Sequence, residues 1–363
     1  MELSAIRAEF PVLERYAYLN AGTNGPLPRR TAEVMVAALE RDLQEGRSSK
    51  AYFESMLEGR EHVREALARV LNAASGDIAL ASSTTEGCNV VYTGLALGPE
   101  DEVVTTDSEH PGLFGGLVAS GARLRVVPVR DLPAGEVAEA LLAAVGSRTR
   151  LIALSHISWL TGAVFPVEEL AGRGVPLLVD GAQAAGAIPV DVQALGCDFY
   201  TVSAQKWLLG PDVTGGLYVR PERVEELRLT FPSYGSWDWE AETDYTPKTG
   251  AARFDPGWIA LGSLAGLRES LAFAEGVGPE RFGHARAMAA RLRELLSDRA
   301  EVVTEADQGT LVTWTAEGES GEIVLRLAEA GVVIRDLPKF GWLRASCGFW
   351  TSEEDFQRLL SAL

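Results

Sequence analysis

The chain has 363 residues, 47% of them hydrophobic and 23% charged, enough for one large core and a smaller second one. Its 33 Lys and Arg stand against 51 Asp and Glu, a formal net charge of −18 with no basic stripe to offset it, which excludes a nucleic acid as the expected partner. No run of about 18 apolar residues is present and MELSAIRAEFPVLERY lacks a basic flank with an apolar core, so neither a membrane span nor a secretory signal is expected and the cytoplasm is the default location.

Glu2 to Tyr16 predicts a short helix and a loop, and Tyr18 to Pro28 (YLNAGTNGPLP) a turn-rich crossing between ordered regions. Helices are expected from Thr31 to about Glu45 and, amphipathically, from about Tyr52 to Leu71. From Ile78 strand and helix alternate. Strands are expected at Ile78 to Ala81, Glu102 to Thr105, Leu124 to Val129 and Leu151 to Leu154, with helices opening at Thr85, Leu113, Gly135 and Val167. Val175 to Val179 and Phe199 to Ser203 read as two further buried strands, followed by Gly216 to Val219. Such alternation implies an α/β fold, a mostly parallel sheet with helices on both faces, whose ligands sit at the carboxyl ends of the strands.

Those ends carry the chemistry. The strand from Val175 delivers Asp180, and the strand from Phe199 delivers Lys206, the sole lysine between Lys50 and Lys248. On their own, an acid and a lysine there are equally a surface salt bridge. Together they are also what a carbonyl cofactor needs: an amine for a Schiff base and a carboxylate to keep a ring nitrogen protonated. Ser83-Thr84-Thr85-Glu86-Gly87, between strand and helix, is either an N-cap or an anion site built from hydroxyls and free amides. Cys88, Cys197 and Cys347 share no metal-ligand spacing with one another or with the histidines, so neither a metal nor a disulfide framework is expected.

The strings DGAQAAGAIPVD and SAQKWLLGP resemble the class V aminotransferase family, the fold-type I pyridoxal 5'-phosphate (PLP) enzymes that include cysteine desulfurases and cystine C-S lyases. The resemblance runs from about Tyr18 to about Leu360. It implies PLP on Lys206, with Lys206, Asp180 and His110 as catalytic residues and His110, of DSEHPG, flat against the ring. Asp180 would face the ring nitrogen and Gln183 the phenolic oxygen. Thr84, Thr85, the backbone of Glu86, Ser203 and Gln205 would hold the phosphate, although many relatives have His where Gln205 stands. Asn20 and Gly22 would approach the substrate from the mouth segment. Trp159, in LSHISWLTG, replaces the Asn of the desulfurases and matches the lyase branch.

Phe231 to Trp258, rich in aromatic residues and poor in periodicity, is expected as active-site rim or subunit contact. There Arg253-Phe254-Asp255-Pro256-Gly257-Trp258 departs from the family's Arg-Phe-Glu-x-x-Thr, so the threonine that reaches a partner's phosphate is missing. Helices from about Ile259 to Glu275 and Pro279 to Arg299 lead to strands Leu311 to Thr315, Val332 to Arg335 and Trp342 to Ser346, then a helix from Ser352. The implied division is an N-terminal segment 1–17 packing with the small domain, a PLP domain 18–257 and a small α+β domain 258–363.

Arg335 and Arg344 match substrate-carboxylate positions of the lyases; by themselves they are equally an ion pair with Asp336 or Glu353. The expected function is a homodimeric PLP-dependent C-S lyase with shared active sites, acting on cystine, cysteine or an S-substituted cysteine. The alternatives are a cysteine desulfurase, an aminotransferase, epimerase or sulfoxide lyase of the same family, or a non-catalytic assembly module. No cysteine lies in DLPKFGWL between the two arginines, where a desulfurase nucleophile would be expected.

Overall fold

Short apolar runs alternating with helix-length amphipathic segments build a layered α/β molecule, and the computed structural model describes residues 1–241 and 244–363 of it. In chain order the elements begin α1 (Leu3–Ala8), α2 (Val12–Arg15), β1 (Ala17–Tyr18), α3 (Arg29–Glu45), α4 (Lys50–Leu71), β2 (Ile78–Ala81) and α5 (Thr84–Gly94). They continue β3 (Glu102–Thr106), α6 (Pro111–Ser120), β4 (Arg123–Val127), α7 (Val137–Ala144), β5 (Thr149–Ser155), β6 (Leu177–Asp180), α8 (Val192–Leu195), β7 (Phe199–Ser203) and β8 (Gly215–Val219). After these come β9 (Trp237–Ala241), β10 (Asp244–Pro247), α9 (Leu261–Val277), α10 (Glu280–Ser297), β11 (Leu311–Thr315), α11 (Ser320–Glu329), β12 (Val332–Val333), β13 (Arg335–Leu337), β14 (Trp342–Ser346) and α12 (Glu353–Ala362).

Among the described residues the main sheet has seven strands in the order β2-β8-β7-β6-β5-β3-β4. Only β8 runs antiparallel to its neighbours. Apart from the largely exposed edge strand β4, its strands are buried on both faces, as continuous Val/Ile/Leu runs require. Alternation sends Ile152, Leu154 and Val179 to one core layer and Leu151, Ala153 and Leu178 to the other. A three-stranded antiparallel sheet, β11-β14-β13, lies in the C-terminal part. The N-terminal segment reaches it directly: β1 pairs with β12, and Arg7 donates to Asp355 at 2.8 Å and to the Trp350 carbonyl at 2.7 Å.

Three expectations are corrected here. The strand Val332 to Arg335 is two short strands, because Val332 and Val333 pair with β1 whereas Arg335 begins the pairing with β14. The helix expected from Val167 is a single 3-10 turn, Val167–Leu170, cut short by Gly172 and Gly174 at φ +69° and +77°. Phe231 to Trp258, expected to be neither helix nor strand, contains the hairpin β9–β10, while residues 242 and 243 of that stretch lie outside the described residues.

The departure at Asp255 has a structural reason. Its buried carboxylate receives Arg60 at 3.0 Å, Arg64 at 2.8 Å and the Leu80 amide at 2.8 Å, tying the segment after the hairpin to α4 and β2. Removing the acid leaves two buried guanidinium groups without it. Asp255→Ala is expected to lower unfolding free energy by about 3–5 kcal/mol, read from denaturant titration; a loss below about 1 kcal/mol would show that water replaces the carboxylate.

Candidate active site

Parallel strands place the site. β6 ends on Asp180 and β7 ends two residues before the Gln205-Lys206 pair, so both groups lie at neighbouring carboxyl ends. The loop carrying Lys206 is closed by Ala204 N to the Thr214 carbonyl at 2.8 Å and Gly210 N to the Ala204 carbonyl at 2.9 Å. Leu209 within it is forced to φ +60°, a left-handed conformation for a branched residue, held by burial of its side chain. Gly25 N donates to the Gln205 carbonyl at 2.8 Å, and a Cβ at Gly25 would strike the Lys206 carbonyl, so glycine is required there.

Burial drives the Lys206 ammonium down to about 8; Asp180 opposes the shift, while Arg344 and Arg335 add to it. Burial likewise pushes the Asp180 carboxyl above its ordinary value, against the pull of Lys206, the Ala182 amide and the Thr84 hydroxyl. His110 caps α6: its Nδ1 accepts from Gly112 N at 3.0 Å. Burial, then Lys206, Arg335 and Arg344, push its pKa down to about 4, so near neutrality the imidazole is uncharged with its hydrogen on Nε2.

Trp159 ties the wall together. Its ring meets His110 edge-to-face with centroids 5.2 Å apart, and the Arg335 guanidinium lies 5.7 Å from its centroid. Its carbonyl accepts from Arg344 Nη1 at 2.6 Å. Neither arginine forms the ion pair that sequence left open: Arg335 donates to Thr23 Oγ1 at 3.3 Å, and Glu353 pairs with Arg291 at 3.4 Å. Burial, aided by Arg335, pushes Arg344 down to about 9.

The segment 20–25 is held over these groups. Thr23 Oγ1 donates to Asn20 Oδ1 at 2.9 Å, Gly22 N to Ser346 Oγ at 3.0 Å, and Gln183 Nε2 to the Gly22 carbonyl at 2.9 Å. Gln183 Oε1 in turn accepts from Trp207 Nε1 at 3.0 Å, so its carboxamide is already engaged at both ends. Ser203 Oγ accepts from Thr84 N at 3.0 Å and thus braces the start of α5. Ser83 Oγ caps the Glu86 amide at 3.2 Å, and the Glu86 carboxylate reaches back to Ser82 N. Thr85 Oγ1 lies so near Gly112 that a Cβ there would collide with it.

Sequence reasoning missed Ser346, Trp207 and Glu109. Trp207 adjoins the lysine and Glu109 adjoins His110, but Ser346 was hidden because its contact with Gly22 spans most of the chain.

Of the nine buried polar side-chain atoms without a hydrogen-bond partner among the described residues, four belong to residues of this site: Trp159 Nε1, Gln205 Oε1, Arg344 Nε and Arg344 Nη2. Buried groups of this kind are rare in a protein that has no use for them. They fit a polar, anionic ligand bound beside an amine and a carboxylate, as PLP carrying an amino acid is. No cluster of His, Cys, Asp or Glu among the described residues could hold a metal, and no helix there is long and apolar enough to cross a membrane.

This sheet, with its lysine and acid at adjacent strand ends, defines a PLP-dependent enzyme of fold type I. The aminotransferase class-V pattern matches residues 17–359, and the chain belongs to that family. It is 30% identical to isopenicillin N epimerase of Streptomyces clavuligerus over 95% of this chain and 93% of that one. It is 31% identical to a probable cysteine desulfurase of Methanothermobacter thermautotrophicus, covering 77% of this chain and 72% of the relative. A solved complex of the cystine C-S lyase C-DES with its reaction product, cysteine persulfide, superposes with a TM-score of 0.92 at 30% identity, covering 97% of this chain and 98% of that one. Another C-DES structure, with glycine covalently linked to PLP, gives the same TM-score. The cofactor of this enzyme is PLP.

Gly22 offers a direct test of the site. A Cβ there would lie 2.9 Å from Arg344 Nη2, 3.0 Å from Ser346 Oγ and 3.1 Å from Gln183 Oε1. Gly22→Ala is expected to displace the guanidinium and raise KM at least about tenfold, with the melting temperature little changed; an unaltered KM would show that Arg344 yields without cost.

Proposed function

We propose that this enzyme is a C-S lyase that eliminates the sulfur substituent of cystine, cysteine or an S-substituted cysteine. The observation that carries this reading is Arg344: wholly buried beside Lys206 and Arg335, with two guanidinium nitrogens unpartnered. A planar guanidinium in that condition matches one carboxylate, bidentately, and an amino acid presents one at its α-carbon. Arg335 stands ready for a second carboxylate, as the far half of cystine provides.

Bound at Lys206, PLP supplies an electron-withdrawing ring that stabilises charge left on the substrate α-carbon. The chain supplies the rest. Lys206, the residue that would hold PLP, has its ordinary basicity lowered enough to be partly unprotonated near neutrality, and once free would take the α-proton. Asp180 would keep the ring nitrogen protonated. His110, uncharged, forms an apolar wall with an N–H at its edge. With the α-proton gone, the bond from Cβ to sulfur would break with its electron pair leaving on sulfur, as hydrogen sulfide, a persulfide or a thiol according to the substrate, and the remaining three-carbon fragment would take up water to give pyruvate and ammonia.

A desulfurase is disfavoured by the thiols. Cys88, Cys197 and Cys347 are all buried, and burial pushes each thiol up, Cys197 to about 12. None is poised to receive sulfur. The epimerase reading is favoured by the epimerase relative and predicts inversion at the α-carbon in place of pyruvate. The active sites are further proposed to be completed in a homodimer: Phe231, Tyr234 and Trp258 are 77%, 66% and 62% exposed, and Phe53 packs against the latter two, a large aromatic surface for a two-fold contact.

Product analysis with cystine, cysteine and an S-alkyl cysteine is expected to give pyruvate. Arg344→Ala should lower kcat/KM on every substrate by about 2–4 kcal/mol equivalent. Arg335→Ala should impair cystine and spare the S-alkyl cysteine. Racemised substrate without pyruvate would replace the lyase by an epimerase, and equal losses from Arg335→Ala would remove the dicarboxylate substrate.

A further inference from the structure

One buried acid has no part in the chemistry above. Glu109 precedes His110 in the loop after β3; its Oε2 accepts from Ser155 N at 2.9 Å and Ser155 Oγ at 2.6 Å, and its Oε1 lies 2.7 Å from Thr106 Oγ1, a hydroxyl able to donate to a carboxylate or to accept from a carboxyl. No cation is paired with it among the described residues. Ser155 stands opposite Asp180 in the β5–β6 register. Leu151 and Ala153 on β5 share a core layer with Leu178 on β6, so Ser155 and Asp180 project to that same face. Glu109 and Asp180 are thus two buried carboxyl groups on one side of the sheet, Glu109 bonded to Ser155 and Asp180 next to that serine in the strand register.

The other groups on that face offer no compensation. Cys88 of α5 lies 3.9 Å from Thr201 Oγ1 of β7, and burial raises both its thiol and the Tyr92 phenol, so each stays neutral. His110, the next residue, is uncharged. Lys206 acts on Asp180. Two like charges in one buried layer disfavour each other, and this adds to the burial that already favours the neutral form of Glu109.

We propose that Glu109 is a positioning residue that works in its protonated form: it ties the loop bearing His110 to β5 and leaves Asp180 as the single carboxylate charge beneath the cofactor ring. Burial, opposed by Ser155 and Thr106 and reinforced by Asp180, pushes Glu109 up to about 7. The folded protein therefore holds this proton more tightly than the unfolded chain. The stability it contributes is complete below the ordinary glutamate value of 4.5 and is lost as pH rises through about 7.

This proposal rests on the PLP reading, but its first measurement does not need the cofactor. Melting curves of the cofactor-free protein and of Glu109→Gln are recorded from pH 5 to pH 8. Gln keeps the size and hydrogen bonds of the neutral acid, so the parent is expected to fall by roughly 3 °C or more relative to the variant across that range. Parallel curves would mean that Glu109 is ionised in the fold and overturn the proposal. The second measurement is the dissociation constant of PLP at pH 6.5, followed by absorbance. Glu109→Gln is expected to bind within about threefold of the parent, and Glu109→Ala at least about tenfold more weakly, because Ser155 N–H loses its acceptor. Equal weakening by Gln and Ala would show that the negative charge is what matters, and undiminished binding by Glu109→Ala would show that nothing is positioned; either result overturns the proposal. A parent that takes up no PLP would defeat the cofactor reading while leaving the melting comparison intact.

Discussion

A buried guanidinium without an acid sets the terms of this site. Arg344 is taken wholly out of water, yet its hydrogen bond runs to a neutral partner, the Trp159 carbonyl. Such a cation costs several kcal/mol to bury, and the structure meets that cost through the strand that carries it. β14 is the central strand of its sheet, hydrogen-bonded to β11 and β13, with Leu343 and Ala345 packed in the core on either side of Arg344. The side chain is held where it is because the backbone has nowhere else to go.

From that constraint the local electrostatics follow. Arg344 and Arg335 lower the amine of Lys206 and the imidazole of His110, and Arg335 lowers Arg344 itself. Asp180 is the counterweight on the lysine, and it too is strained by burial. The cluster is consequently poised with surplus positive charge facing the substrate side and one carboxylate at the sheet side. In the proposed reading a substrate carboxylate would relieve the first and a protonated ring nitrogen the second, so that cofactor and substrate would each complete a balance that the protein leaves open.

What the sequence disclosed follows the range of each interaction. Strand ends, the N-cap at Ser83 and the lysine loop are local, and Ile78–Ala81, Leu311–Thr315 and Trp342–Ser346 fall at their expected bounds. Glycines at φ +69° and +77° broke the expected helix after Val167, a local signal that was present but outweighed by apolar periodicity. The pairing of β1 with β12 and the contact of Ser346 with Gly22 join positions more than 300 residues apart, where no spacing rule reaches. Glu109 was overlooked for another reason: its role depends on what lies across the sheet from Ser155, which only the strand order β6-β5-β3 reveals.

The segment 20–25 is where these long-range contacts meet. Leu19 accepts from Ser346 N, Gly22 is held by Ser346 and Gln183, Thr23 by Arg335, and Gly25 by Gln205. It therefore touches the arginine-bearing sheet, the strand end that carries Asp180 and the loop that carries Lys206. Because the segment itself contributes only backbone groups and the short Thr23 side chain to these contacts, it has little freedom to absorb a shift on one side without passing it to the others. Gly22 is the tightest point: a side chain there would press at once on Arg344, Ser346 and Gln183. The absence of a side chain at this position is thus what allows the guanidinium, the serine and the Gln183 carboxamide to share one boundary, and the N-terminal crossing is as much a part of the site as the strands that deliver its charges.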